Sequence, residues 1–325
     1  MTAPHDRIRS WPIGLFGMVM GLFGMALAVQ ASLAALGQDP QFSWPFVALA
    51  LTGLVVVGTG YGLKAQRNAA AVAADWQDPL RLVFFPAMSI SVMLAATALL
   101  PLTPGAARVL WILGAGMQAA LSLAVLSAWT GPRDFALAQL TPAWFIPAVG
   151  NIVAPIAGAR LGFDTVSWVF LAAGLIFWIA LLPLVFLRLV TLGPPPAPMR
   201  PTLAILAAPP SVGALAWMAL TGDPDQVALV LMGIGLTFGL LVAVRMPAFL
   251  RLPFGLPSWS LTFPMAALAI ASLRIGTGLG VPALAFLGLG LTGALIVLAA
   301  WLLLRTLAAG QNGRLFQHPP MPTAP

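Results

Sequence analysis

The sequence predicts an all-α integral membrane protein with ten transmembrane helices. Two features of its composition point to the membrane class. Of its 325 residues, 60% are hydrophobic, and only 7% are charged, whereas soluble domains carry roughly 25% charged residues. A third observation is where the charged residues stand. They leave ten long stretches without any charge, and these stretches give the number of helices. This composition excludes an ordinary soluble enzyme and a disordered protein.

Ten apolar segments contain none of the 15 basic and eight acidic residues. They are residues 12–36, 43–63, 82–100, 109–129, 143–159, 167–187, 202–220, 226–244, 256–273 and 281–304. A charge at the bilayer centre costs at least ~2.5–3.5 kcal/mol, so spanning helices require this exclusion. A transmembrane β-barrel would instead need alternating strands of about ten residues. These segments are continuous and about twice that long, although 143–159 and 256–273 are short.

The basic residues between the segments predict the orientation. If the N-terminus is cytoplasmic, twelve Lys and Arg residues lie on the cytoplasmic side and three, Arg108, Arg160 and Arg274, lie outside. This bias follows the positive-inside rule. The sequence therefore predicts a protein of the plasma membrane, the inner membrane in a bacterium, with both termini cytoplasmic.

The odd-numbered segments differ from the even-numbered ones by carrying proline in their interiors, followed by small or hydroxyl residues. The predicted helix kinks are at Pro86, Pro147, Pro155, Pro209, Pro210 and Pro264. Proline removes one helical hydrogen bond and clashes with the preceding turn, and the freed carbonyl needs a partner in lipid. The first segment has no such proline and carries Gly14, Gly17, Gly21 and Gly24 instead.

This repeat predicts five tandem helical hairpins in a quasi-fivefold arrangement. Kinked, weakly polar helices belong against other helices or water, whereas straight Leu-rich and Val-rich helices suit the lipid. The odd-numbered helices would then be the inner ones, parallel to one another and enclosing a central pore. The alternative is that transmembrane helices in general tolerate Pro and Gly.

Polar side chains of the inner segments are the candidates for lining the pore. They are Ser89, Ser91, Asn151, Ser211, Thr262 and Ser272. Hydroxyl and amide groups can solvate an ion without trapping it, although a Ser or Thr in a helix often bonds back to its own backbone. Basic residues near the inner helix ends, Arg81, Arg251 and Arg274, would favour anions at the pore mouths or act as membrane anchors.

Several chemistries are not expected. Cysteine is absent, and His5 and His318 lie near the ends of the sequence, so no metal site and no cofactor are predicted. Catalysis would need paired acids or an activated nucleophile. The close acid pairs, Asp75 with Asp78 and Asp223 with Asp225, fall in loops where solvation is expected. Basic residues are scattered rather than clustered, which argues against a nucleic-acid partner.

Three segments resemble the tellurite-resistance/dicarboxylate transporter family, which includes the plant slow anion channels. They are Phe84-Phe85-Pro86-Ala87-Met88-Ser89, Phe145-Ile146-Pro147-Ala148-Val149-Gly150-Asn151 and Trp259-Ser260-Leu261-Thr262-Phe263-Pro264-Met265. The resemblance covers about residues 10–305, and the Thr-Phe-Pro-Met stretch is its most specific part. The first segment departs from it, because Gly17-Met18-Val19-Met20-Gly21 stands where the family usually has proline.

The resemblance implies five hairpins around a pore and a homotrimer in which each subunit has its own pore. It also implies that a phenylalanine of the ninth segment, here Phe263, plugs that pore. The neighbours Thr262, Ala266 and Ala267 are small, which leaves Phe263 as the bulky group at this level.

The resulting hypothesis is an anion channel or facilitator, not an enzyme, that passes small inorganic or organic anions and is surrounded by membrane lipid. The alternative is a proton-coupled transporter of C4-dicarboxylates such as malate, or of sulfite or tellurite. Coupling normally needs a titratable group within the membrane, and the ten segments contain none. Residues 1–310 are predicted to form a single transmembrane domain, and 311–325 a disordered cytoplasmic tail.

Overall fold

The computed structural model describes residues 4–316, and every regular element among them is a helix. Ten of these helices are long and apolar enough to cross a membrane. They are α1 (Leu15–Ala35), α2 (Pro40–Arg67), α3 (Pro79–Leu99), α4 (Pro104–Thr130), α5 (Pro142–Leu161), α6 (Asp164–Leu192), α7 (Ala197–Thr221), α8 (Gln226–Leu250), α9 (Leu256–Gly278) and α10 (Pro282–Gln311).

The predicted number of membrane helices is thus confirmed, including the two short segments, which form α5 and α9. Most helices extend beyond the charge-free segments at one or both ends. Lys64, Arg188 and Arg305 lie within the last two turns of their helices. Lys64 and Arg188 are buried and hydrogen-bonded within the protein, whereas Arg305 is exposed, and its long side chain can reach the polar surface of a bilayer.

Four inner helices are interrupted at the proline positions. The first part of α5, α7 and α9 is a 3₁₀-helix, and in α3 a short helix ends in a turn. The α-helical parts then begin at Pro86, Ile146, Ala208 and Thr262. Five of the six predicted kink prolines, Pro86, Pro147, Pro209, Pro210 and Pro264, stand in the first turn of these parts, where proline costs no helical hydrogen bond.

The sixth proline, Pro155, lies inside the α-helical part of α5. Two further prolines, Pro183 in α6 and Pro247 in α8, lie inside even-numbered helices. Interior proline is therefore not confined to the odd-numbered helices, and a change from 3₁₀ to α geometry also occurs at the start of the even-numbered α2. What α3, α5, α7 and α9 share is a break directly before or at the proline-containing first turn of the α-helical part.

Helix packing separates the ten helices into two classes. Each odd-numbered helix packs against the even-numbered helix that follows it, and each also contacts two other odd-numbered helices, in the closed order α1, α3, α5, α7, α9 and back to α1. We call α1, α3, α5, α7 and α9 the inner helices and the other five the outer helices. The inner helices are mostly buried, and the outer helices mostly expose apolar side chains.

Two connections have structure that the sequence did not predict. The segment between α2 and α3 contains a short helix, Ala69–Gln77. Of the predicted tail 311–325, the structure describes residues up to Phe316, whose ring lies 5.8 Å from that of Trp11, between centroids. The described start of the tail therefore contacts the membrane domain, and residues 317–325, including His318, lie outside the described part of the chain.

Candidate pore and gate

A cavity of about 40 Å³ lies where all five inner helices meet. Its lining residues are Gly17 and Met20 of α1, Phe84 and Ala87 of α3, Ile146 and Val149 of α5, Ile205 and Ala208 of α7, and Trp259, Ser260, Phe263 and Pro264 of α9. In α3, α5, α7 and α9 these residues flank the point at which the α-helical part begins. The breaks at the prolines therefore lie around one common space.

Phe263 contributes an aromatic ring to the wall of this cavity and is only 8% exposed. Ser260 provides a hydroxyl, and the indole N–H of Trp259 donates to Thr306 on α10 rather than to the cavity. The remaining lining side chains are apolar. An apolar space of this size gives an ion nothing to replace its hydration shell, so it opposes ion passage by dehydration.

The glycines of α1 allow α9 to approach closely. A Cβ added to Gly24 would lie 2.9 Å from the Cβ of Ala266 and 3.6 Å from the Cα of Phe263. A Cβ at Gly21 would collide with Thr262. Gly21 and Gly24 of the first segment thus allow close contact with the helix that carries Phe263.

Two of the predicted pore-lining residues join an inner helix to an outer one instead. The hydroxyl of Ser89 on α3 donates to Gln118 Oε1 on α4 at 2.6 Å. The amide of Asn151 on α5 pairs with Ser122, also on α4. Gln118 itself donates to the carbonyl of Pro147 at 3.0 Å, so α4 holds α3 and α5 through a buried polar network.

The other four residues of the predicted lining are also buried away from this cavity. Ser91 donates to the carbonyl of Ala87 and Thr262 to that of Trp259, both at 2.7 Å and within their own segments. Ser211 lies against Gly235 of α8. The hydroxyls of Ser211 and Ser272 have no hydrogen-bond partner among the described residues. None of the six lines the cavity, and their lining of other parts of the axis stays a prediction.

The three predicted mouth cations differ in their surroundings. Arg81, at the start of α3, forms ion pairs with Asp75 at 3.0 Å and Asp78 at 3.3 Å, so its charge is largely compensated. Arg251 is exposed just after α8. Arg274, near the end of α9, is partly buried and close enough to Arg160 of α5 for the two charges to repel. Two cations of inner helices therefore share the end of the bundle remote from Arg81.

A buried ionic cluster at the start of α3 was not predicted. Asp75 of the short helix accepts hydrogen bonds from Lys64 Nζ at 2.5 Å and from Tyr61 at 3.1 Å, in addition to its pair with Arg81. Lys64 and Asp75 are 1% and 3% exposed. The expectation of a solvated loop was therefore wrong for Asp75, because the short helix folds back over the end of α2. The sequence indicates this cluster only weakly: Lys64 directly follows an apolar segment, and Asp75 stands eleven residues after it.

Comparison with known proteins relates this arrangement to anion channels. The S-type anion channel SLAH3 of Arabidopsis thaliana is 29% identical over 85% of the chain, and the guard cell S-type anion channel SLAC1 of the same plant is 26% identical over 81%. The chain spans about half the length of these two plant proteins, 45% and 49%. The tellurite resistance protein TehA homolog of Haemophilus influenzae is 28% identical over 79% of both chains.

The family comparison covers nearly all of the membrane domain. The voltage-dependent anion channel family matches residues 10–307, which include all the inner helices and the cavity between them. The resemblance seen in the proline-containing segments is thereby confirmed, and the chain belongs to the voltage-dependent anion channel family.

Proposed function

We propose that this chain is an anion channel or facilitator that conducts small inorganic or organic anions through a pore within each subunit. The five hairpins would have a quasi-fivefold arrangement around that pore, and Phe263 would close it. The observation that carries this proposal is the cavity at the centre, which all five inner helices line and whose lining includes Phe263.

The charges of the inner helices favour anions over cations. No acidic residue occurs in the sequence of any inner helix, whereas Arg160, Arg200 and Arg274 do, in addition to Arg81, whose charge is paired. The α-helical parts of α3, α5, α7 and α9 begin around the cavity. Because helix N-termini carry partial positive charge, these four ends add to a potential that attracts anions.

A proton-coupled carrier of C4-dicarboxylates such as malate, or of sulfite or tellurite, is the second candidate. Coupling normally needs a titratable group within the membrane, whereas the buried carboxylate Asp75, which contacts Tyr61, Lys64 and Arg81, lies in the connection between α2 and α3. A pH gradient imposed on liposomes without any anion gradient separates the two candidates, since only the carrier would accumulate anions.

We place the protein in the plasma membrane, in a bacterium the inner membrane, with both termini cytoplasmic and as a homotrimer. The excess of twelve basic residues over three on the two sides supports the orientation. The bacterial relative from Haemophilus influenzae supports the type of membrane. The exposed apolar surface of the outer helices provides area both for lipid and for contact between subunits.

The test is anion flux through the purified protein in liposomes, with Phe263→Ala as the decisive variant. Removal of the ring takes away most of the apolar obstruction, so conductance should rise by at least about tenfold, which corresponds to a barrier lowered by ~1.4 kcal/mol. Phe263→Leu should be intermediate. The matched control is Phe286→Ala on the outer helix α10, where the ring is 71% exposed.

Phe286→Ala should leave conductance unchanged. A Phe263→Ala variant that assembles normally and conducts anions no better than wild type would exclude Phe263 as the gate. Absence of anion flux in every variant would instead argue against the channel itself.

A further inference from the structure

A second cavity lies between inner and outer helices, on the side of α9 away from the central one. Its volume is about 100 Å³, two-thirds of the ~150 Å³ of an engineered apolar cavity that binds benzene. Its lining residues are Ala204 and Ala207 of α7, Gly239, Val242, Ala243 and Met246 of α8, Leu261, Pro264, Met265 and Leu268 of α9, and Leu291 of α10. We call it the lateral cavity.

The lining of the lateral cavity selects an apolar occupant. None of its eleven side chains carries a polar group, and a buried water needs two to four polar partners. If the cavity stayed empty, the side chains around it would lose dispersion contacts. A hydrocarbon chain would fill the space and restore these dispersion contacts, and it needs no hydrogen-bond partner.

The lateral cavity is accessible from the surface that faces lipid. Ala243 both lines the cavity and is exposed, whereas Val242 beside it is buried. The next residues on α8 present bare apolar surface, with Val244 81% exposed. An acyl chain of the surrounding bilayer can therefore enter between α8 and its neighbours without first crossing water.

A cation, Arg245, follows Ala243 by two residues on α8, about 200° around the helix from the entrance. Arg245 is exposed, lies within the last two turns of α8, and forms no ion pair with any acid whose side chain the structure describes. Five residues separate it from the helix end at Leu250, a rise of about 7.5 Å. A side chain of arginine length can extend over that distance towards the headgroup level, where a basic residue attracts anionic lipid.

We propose that the lateral cavity is a binding site for one acyl chain of an anionic phospholipid whose headgroup is held by Arg245. In the proposed orientation this lipid belongs to the cytoplasmic leaflet. Pro264 lines both the lateral and the central cavity, so the bound chain would support the wall that carries Phe263 from behind. The proposed site depends only on the lipid-facing side of α8 and on the lateral cavity. The proposal is therefore independent of whether the central pore conducts anions.

The test measures lipid binding by the full chain. Protein in detergent is titrated with phosphatidylglycerol or with phosphatidylcholine of the same acyl chains, and the retained lipid is counted by native mass spectrometry. We expect wild type to retain phosphatidylglycerol at about tenfold lower concentration than phosphatidylcholine. Ala243→Trp, which obstructs the entrance, should lose retention of both lipids. Arg245→Gln should lose the preference for the anionic one.

Matched controls lie close by. Val244→Trp adds the same ring one residue further along, and Arg305→Gln removes an exposed cation from the corresponding end of α10. Both should bind lipid like wild type. A phosphatidylglycerol with a photoreactive diazirine at the end of one acyl chain should attach to peptides containing Met246, Met265 or Leu268.

Three results would overturn the proposal. They are retention by Ala243→Trp equal to that of wild type, equal retention of the two lipids by wild type, and attachment of the diazirine only to other parts of the outer helices. The last result would mean that lipid coats the protein without entering the lateral cavity.

Discussion

Inner and outer helices are all apolar enough to cross a membrane and yet occupy different environments. In the apolar windows of the inner helices between 61% and 89% of residues are buried, against 22% to 33% in the outer helices. The mean hydropathy is 1.3 to 2.1 in the inner helices and 1.9 to 2.6 in the outer ones, and only α3 reaches the outer range. The helices that other helices surround are therefore the less hydropathic class, and they contain more small residues and backbone breaks.

The end of α2 departs from this division, because an outer helix there buries a charge, as α6 also does at Arg188. In Asp75→Asn, Lys64 would remain buried without a counter-charge, and breaking a buried pair in this way costs about 3–5 kcal/mol. We expect a large fall in the thermal stability of the detergent-solubilised protein. Asp78→Asn is the control, since the side chains of its pair with Arg81 are 26% and 32% exposed.

Asp78 also accepts hydrogen bonds from the N–H groups of Leu80 and Arg81. Asparagine caps a helix N-terminus about as well as aspartate, so Asp78→Asn keeps this cap, and loss of the exposed ion pair costs little. Equal losses of stability in the two variants would show that Asp75 and Lys64 are solvated, and α2 would then follow the outer class throughout.

Two glycines of α10 allow a test of whether this outer helix packs closely on the inner helix α9. A Cβ at Gly288 would lie 2.8 Å from the carbonyl oxygen of Ala269 and 2.9 Å from the backbone nitrogen of Leu273, both on α9. A Cβ at Gly290 would meet nothing within 4 Å. Because the backbone of α9 cannot yield, Gly288→Leu should cost about 3 kcal/mol.

Gly290→Leu should be nearly neutral by the same thermal measurement, since the new side chain would point into lipid or detergent. If both variants proved equally stable, α10 would not pack closely on α9 at this level. The division into paired inner and outer helices would then fail at the fifth hairpin.

The polar network of α4 tests whether outer helices hold the inner ones in place. Gln118→Leu would leave the Pro147 carbonyl and the Ser89 hydroxyl with fewer partners in buried surroundings, at a cost of about 2 kcal/mol. Thr237→Val on α8 is the control, because its exposed hydroxyl bonds only to its own helix at Gly233. A change of less than ~0.5 kcal/mol is usual for such surface sites.

Thermal melts of the two variants should therefore differ clearly, with only Gln118→Leu less stable than wild type. A Gln118→Leu protein as stable as Thr237→Val would mean that apolar packing alone joins α3, α4 and α5.

The smallest expected effect concerns the basic residues at the end of the bundle opposite Arg81. Arg274→Glu should reduce anion conductance about twofold at 0.01 M salt and leave it unchanged at 1 M, because the screening length falls from ~30 to ~3 Å. Arg108→Glu, on the outer helix α4, should have no effect at either concentration. Currents recorded in planar bilayers at both salt concentrations measure this effect. An equal loss of conductance in Arg108→Glu would indicate a general surface potential instead of a local effect of Arg274.

The membrane class, the number of helices and the alternation of two helix types can all be predicted from the order of the residues alone. These features follow from the cost of burying charge in lipid and from the position of proline and glycine, both of which are local to each segment. The ten charge-free segments became α1 to α10, and the proline segments became the helices that line the central cavity.

Which side chains face which neighbour depends on how the helices pack in the folded protein. Ser89 and Asn151 contact α4 rather than the central cavity, and Asp75 is buried against Lys64. In an amphipathic helix a polar stripe marks the exposed face, but a helix buried on most sides has no such contrast. The direction of each hydroxyl is then fixed by partners far away in the chain, which local sequence does not contain.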